Sequence, residues 1–290
     1  MTPSLRQLYL SLGLGLLMAI DQAVAAGSAS AYHTTADGKN NLSSTSAPTQ
    51  GGNGSWTLHV DDTSSGHKQA IGGFGAAVTD VTVKLINSLS DSSKDELLGL
   101  ILSKGSKHGA DFSLFRHTIA VSDLSLGYYT YDDNNGSADP LLNAFNLGDN
   151  GTAMASLLAE FRQRKSNITI FGSPWTPPEW MKANHNLTGE TDNRLSDEYY
   201  EAYAQYLAKY LQAYDNQNAS IDAISIQNEP LHAEVGTPTM RVLADQAVDL
   251  IQNHLRSALS DAKLGTKIWA LDHNTGPFFP FCCRPSDTLG

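Results

Sequence analysis

The sequence predicts an α/β fold, a (β/α)8 TIM barrel of which about five of the eight βα units are legible. Three observations predict it. Short apolar runs alternate with longer amphipathic ones at intervals of roughly 45 residues, the pattern of parallel strands joined by helical crossovers. An open doubly wound sheet shares that alternation, but the chain has no G-x-G-x-x-G fingerprint and no phosphate loop. Its "GGFGAA" (72–77) has the wrong spacing and no lysine. Lastly, the polar residues capable of chemistry fall just after the strands, the face on which barrel enzymes build their sites.

The elements follow in order. Residues 1–25 read as a signal peptide: Arg6 supplies the positive start, Leu8 to Ile20 the apolar stretch, and Ala23 to Ala26 the small-residue cleavage site. The apolar run is shorter than the about 20 residues of a membrane span, so no membrane anchor is expected and the product should be secreted and extracellular. Residues 26–55, rich in Gly, Ser, Thr and Asn, read as a poorly ordered arm that could join a side β-sandwich. A partial barrel is expected over 56–274, with strands at 70–79, 112–121, 167–173, 221–227 and 266–272. Helical patterns lie near 90–104, 152–165, 196–214 and 239–260. The third carries Tyr and Leu at helical spacing behind Ser196, a stripe that reads as core packing.

Composition narrows the function. A formal net charge of −11 argues against nucleic acid, which needs clustered Lys and Arg. The only cysteines, Cys282 and Cys283, are adjacent, so no disulfide framework is expected and stability must come from a packed core. Asn-X-Ser/Thr sequons begin at Asn41, Asn53, Asn135, Asn150, Asn167, Asn186 and Asn218, as a secreted glycoprotein would carry. No histidine pair has metal-ligand spacing, and neither metal nor cofactor is expected.

The strand ends supply the candidate site: Asp80, Arg116 within its strand, Trp175 and Trp180 among prolines, Asn228 with Glu229, and Asp272, His273 and Asn274. Brought to one barrel mouth, they make an acidic, aromatic, hydrogen-bonding cleft suited to a sugar, whose C–H faces stack on tryptophan and whose hydroxyls bind carboxylates and amides. Glu229 stands out because Pro230 ends the strand at the point where the carboxyl appears. Asp80 has a helix N-cap or turn residue as its rival reading, and Asp123 reads as structural. Arg116 in an apolar strand needs a carboxylate partner, either an active-site acid or a structural tie. Trp175 is a sugar platform or a core residue.

The motifs "IGGFGAAVTD" (71–80), "SDLSLGYYTYDD" (122–133), "SPWTPPEWMK" (173–182), "ISIQNEP" (224–230) and "IWALDHN" (268–274) resemble, in order, the strand-end motifs of glycoside hydrolase family 30. The resemblance implies a retaining β-glycosidase on a (β/α)8 barrel with a small side β-sandwich, acting without cofactor on an oligo- or polysaccharide, and here as a monomer. It implies that Glu229 is the general acid/base and that Asn228 binds the sugar 2-hydroxyl. Asp80, Arg116 and Trp175 would line the glycone subsite, with His273 beside them. "LDHN" and the "TADGKNNLSS" arm look most like the fungal endo-β-1,6-glucanase branch, with glucosylceramidases as relatives. A lipid glycosidase and an inactive carbohydrate-binding product are the alternatives.

The resemblance breaks in places. Ala76 stands where the family usually has Gly, and Thr118 where it usually has Pro. The family's nucleophile, a glutamate closing the seventh strand, has no counterpart here. Residues 275–290, "TGPFFPFCCRPSDTLG", read as an aberrant tail, so the sequence is expected to be a C-terminally truncated copy that is inactive as written.

Overall fold

The computed structural model describes residues 30–46, 61, 63–103, 109–274 and 276. The expected signal segment, Asn53, Cys282 and Cys283 lie outside the described residues. The chain divides into two compact units, residues 1–70 and 71–290.

In the first unit, strands β1 (Ala31–His33) and β2 (Ser43–Thr45) pair antiparallel with Ala31 opposite Thr45. An arm expected to be poorly ordered therefore contains a ribbon. Its turn is made by short polar side chains: Asp37 Oδ1 accepts from Lys39 N at 3.1 Å, and Thr35 N donates to Asn40 O at 3.0 Å.

The second unit is built on a five-stranded parallel sheet in sequential order: β3 (Gly75–Val78), β4 (Leu114–Ile119), β5 (Thr169–Pro174), β6 (Ala223–Ser225) and β7 (Lys267–Trp269). Four lie inside strands expected from the sequence, and β5 runs one residue beyond its expected end at 173. The described strands form an open sheet with β3 and β7 at its edges. Gly75 is required on β3, because a Cβ there would stand 1.3 Å from the Leu114 carbonyl oxygen on β4.

Helices cover one face of the sheet: α1 (Asp80–Asn87), α2 (Asp91–Leu102), α3 (Gly148–Arg164), α4 (Tyr200–Asp215), and α5 (Ala244–Asp249) continuing through a π-helical turn, Leu250–Leu255, into α6 (Arg256–Asp261). The pattern near 239–260 is thus a helix beginning only at Ala244 and interrupted midway. Phe115, Ile119, Ile170 and Ile224 alternate onto the covered face and join Leu158 and Phe161 of α3 and Leu207 and Leu211 of α4 in the core. The α4 tyrosines are buried, as the stripe suggested, and their hydroxyls find partners inside. Tyr210 Oη meets His117 Nε2 at 2.6 Å, Tyr214 Oη meets Tyr131 Oη at 2.9 Å, and Tyr203 Oη donates to Ile226 O at 3.0 Å. Burial holds His117 neutral, its pKa pulled down to about 3. The Tyr203 bond fixes the end of β6 two residues before Asn228.

Asp132 departs from this economy. It is 1% exposed, and neither carboxylate oxygen has a partner. Burial, then the neighbouring Asp139, pushes it up to about 6. A carboxyl whose folded pKa lies above its unfolded value of 3.8 favours the fold below pH 4 and loses that contribution as pH rises through 6. Asp132→Asn is therefore expected to stabilise the chain by about 2–3 kcal/mol at pH 7.5 and by under about 1 kcal/mol at pH 4. Urea unfolding at the two pH values measures this, and an equal shift at both would refute the assignment.

Among the described residues, no helix is long and apolar enough to cross a membrane. The sequon asparagines 41, 135, 150, 167, 186 and 218 are exposed.

Candidate active site

The uncovered face of the sheet carries the chemistry. Arg116 pairs in register with Phe171, Phe171 with Ala223, and Ser225 with Trp269, so these side chains share the face opposite the helix-packed core. Phe171 and Trp269 stack with ring centres 4.2 Å apart. Toward the carboxyl ends of the strands the same face becomes polar: Ser173, Ser225, Asn228 and Asp272 gather around one guanidinium.

Arg116 Nη2 donates to Asn228 Oδ1 at 2.6 Å, Asp272 Oδ2 at 2.7 Å and Ser173 Oγ at 3.1 Å. Ser173 Oγ also donates to Asp272 Oδ2 at 2.6 Å, and Ser225 Oγ reaches the same oxygen at 3.3 Å. The guanidinium carbon lies 4.7 Å from the centre of the Trp175 ring. Arg116 thus answers the cost of a charge in an apolar strand with Asp272, not Glu229. Its remaining contacts orient Asn228 and brace Trp175. Gln227, buried, fixes the backbone of both neighbours by donating from Nε2 to Trp175 O at 2.7 Å and Asn228 O at 3.0 Å.

Glu229 follows at the exit of β6, half-buried. Its N–H donates to Asp272 O at 2.8 Å, its carbonyl accepts from His232 N at 2.8 Å, and its φ is +45°. A glutamate in the left-handed region is uncommon and costs energy, so the surrounding bonds must hold it there. The parallel bridge between Asn228 and Asp272 keeps the β6–β7 register three residues past the strands and sets the Glu229 backbone beside Asp272. His273 is half-buried in the next position, its Nδ1 accepting from Asn274 N at 2.7 Å.

Asp80 follows β3 directly, at the carboxyl end of the sheet. Thr79 caps α1, its side chain accepting from Thr82 N at 3.2 Å, and Asp80 occupies the first helical turn, where its charge suits the helix N-terminus. Asp80 Oδ1 accepts from Ser125 Oγ at 2.9 Å. It lines a cavity of about 230 Å³ with Lys84, Tyr128, Tyr129 and Asn150, a set without Arg116, Asn228 or Glu229. Trp180 is buried in the core with Nε1 donating to Asp132 O at 2.8 Å, whereas Trp175 is partly exposed. Asp123 is exposed.

Ser173 is the member that sequence reasoning passed over, and Asp272, a strand-end candidate, was not identified as the partner of Arg116. The signal was present: Arg116 demanded a carboxylate, and Asp272 closes the fifth strand. Among the described residues no group of three or more His, Cys, Asp or Glu is placed to hold a metal ion.

Residues 71–281 match the glycosyl hydrolase family 30 TIM-barrel domain. The chain is 51% identical to the endo-1,6-β-D-glucanase of Neurospora crassa over 92% of this chain and 57% of that one. It is 50% identical to endo-1,6-β-D-glucanase BGN16.3 of Trichoderma harzianum, over 88% of this chain and 54% of that one. Among solved structures, the endo-β1,6-glucanase BT3312 superimposes with a TM-score of 0.68 at 26% identity, covering 86% of this chain and 53% of that one. The chain spans about half the length of the relatives it matches.

Proposed function

Because the chain belongs to glycosyl hydrolase family 30, we propose that it serves as the acid/base half of a secreted retaining β-glycosidase that cleaves β-1,6-linked glucan. The observation that carries the reading is the Asn228–Glu229 pair at the exit of β6, held beside the Arg116–Asp272 ion pair and the partly exposed Trp175. In this reading the Trp175 ring supports the sugar's C–H face. Asn228 keeps its amide nitrogen for a sugar hydroxyl because its oxygen is committed to Arg116. Glu229 protonates the departing glycosidic oxygen and then takes a proton from the water that releases the sugar. Double displacement needs a second carboxylate about 5 to 5.5 Å from the first. No described residue is assigned that role. In this reading Asp80 and His273 also line the sugar-binding cleft. The linkage preference is supported by the 51% identity to the Neurospora crassa enzyme.

The test is hydrolysis by the protein expressed from its complete gene, with β-1,6-glucan, β-1,3-glucan and glucosylceramide micelles side by side and the anomer of the product followed by NMR. Preference for β-1,6-glucan with β product formed first is expected. Inverted product, or faster turnover of the lipid, would overturn the reading.

A further inference from the structure

Lys182 lies in the β5–α4 connection, seven residues after Trp175, and is 0% exposed. A buried lysine ordinarily pairs with a carboxylate. Among the described residues none lies within ion-pairing distance of this one. Its Nζ instead donates to two backbone carbonyls, Leu187 O at 3.0 Å in its own connection and Thr239 O at 2.8 Å in the connection after β6. Burial draws the ammonium down to about 7. The uncharged amine still has two N–H groups, one for each carbonyl.

The same two connections are stitched together around that point. Thr239 N donates to Leu187 O at 3.1 Å, and Gly189 N donates to Glu234 O at 2.8 Å. Asn193 Nδ2 donates to Thr239 Oγ1 at 2.9 Å, and Asn193 O accepts from Arg241 N at 2.7 Å. The second connection then closes on its own start, since Val242 N donates to Pro230 O at 2.7 Å. A tie at Thr239 is thereby transmitted to the residue following Glu229. Nothing in that connection is regular secondary structure, and Glu229 sits at its root with a positive φ. Glu229 cannot keep that conformation by local preference alone.

We propose that Lys182 is a positioning residue for Glu229: it fastens the connection that carries the acid/base to the connection that carries Trp175, and so sets where the carboxyl stands over the sugar. The inference rests on the role of Glu229 proposed above. A lysine suits the task because a long chain crosses the space between two loops while its terminal donors reach a carbonyl in each.

Two measurements separate the tie from the chemistry. Amide hydrogen exchange of the 290-residue chain, comparing the native sequence with Lys182→Met and the milder Thr239→Val, needs no catalysis. Protection should fall roughly tenfold at Gly189, Thr239, Arg241 and Val242, while amides of α3 and α4 stay unchanged. Unchanged protection in the two connections, or a uniform loss throughout, would overturn the tie. In the protein expressed from the complete gene, Lys182→Met should lower kcat/KM about tenfold to a hundredfold on a β-1,6-linked oligosaccharide. On a dinitrophenyl β-glucoside, whose leaving group needs no proton, the loss should stay under about threefold. Equal losses on both substrates, when Glu229→Gln discriminates between them, would overturn the positioning role. If Glu229→Gln does not discriminate either, the proposed function is what fails.

Discussion

Replacing Glu229 by glutamine is expected to cut hydrolysis of β-1,6-linked oligosaccharides by about 10²- to 10⁴-fold in the protein expressed from its complete gene, the range over which positioned proton transfer contributes. The reasoning is chemical. A sugar alkoxide is a poor leaving group and must be protonated as the bond breaks, and an amide in the same place has no proton of suitable acidity to give. The loss should depend on the substrate. An aryl glycoside with an acidic phenol departs without help, so formation of the covalent intermediate should survive, while its breakdown, which needs a base to activate water, stays slow. Glu229→Ala in the presence of azide makes the prediction sharper, because an anionic nucleophile needs no base. Rate should recover and a β-glycosyl azide should appear. A uniform loss on all substrates with no azide product would falsify the role given to Glu229.

The second large effect is expected at Arg116. Arg116→Met removes one guanidinium that serves Asp272, Asn228 and Ser173 together and lies against Trp175. It leaves Asp272 with hydroxyl donors but no countercharge. The pair is not fully buried, with 27% of the arginine and 20% of the aspartate side chain exposed. The cost should therefore fall at the lower end of that for breaking a buried ion pair, about 3 kcal/mol. Urea unfolding of Arg116→Met, Asp272→Asn and the double variant forms a cycle in which the two should couple by about 1–3 kcal/mol. Additive effects would mean that the 2.7 Å contact does not matter to the fold. Where activity can be followed, Arg116→Met should also weaken glucan binding, because Asn228 and Trp175 both lose the group that orients them.

Much of the fold was legible because its signals are local. Alternating apolar residues announced all five sheet strands, and the periodic tyrosines of "YEAYAQYLAKYLQAY" announced α4 and its buried face. Helix α1 was not read. Its eight residues, "DVTVKLIN", include three β-branched ones in a row, which weakens the helical signal, although Thr79 as N-cap and Asp80 in the first turn were there to be found. The helix expected near 239–260 was read too long. Residues 239–243 are spent on Lys182, Asn193 and Pro230, partners far away in the chain.

The candidate site divides along the same line. Motifs at strand ends singled out Trp175, Asn228 and Glu229, and a charge inside an apolar strand singled out Arg116. The fold brings Arg116, Trp175 and Asn228 into contact and roots Glu229 beside them. Asp80 opens α1 directly after β3. Asp272, named only as a strand-end candidate, becomes the countercharge of Arg116. The chain by itself determined which residue types end each strand, because periodicity and breakers act between neighbours a few positions apart. Only the tertiary structure decided which of those ends meet, because parallel register aligns Asn228 with Asp272 and Arg116 with Phe171 across separations of 44 and 55 residues, which no local pattern records.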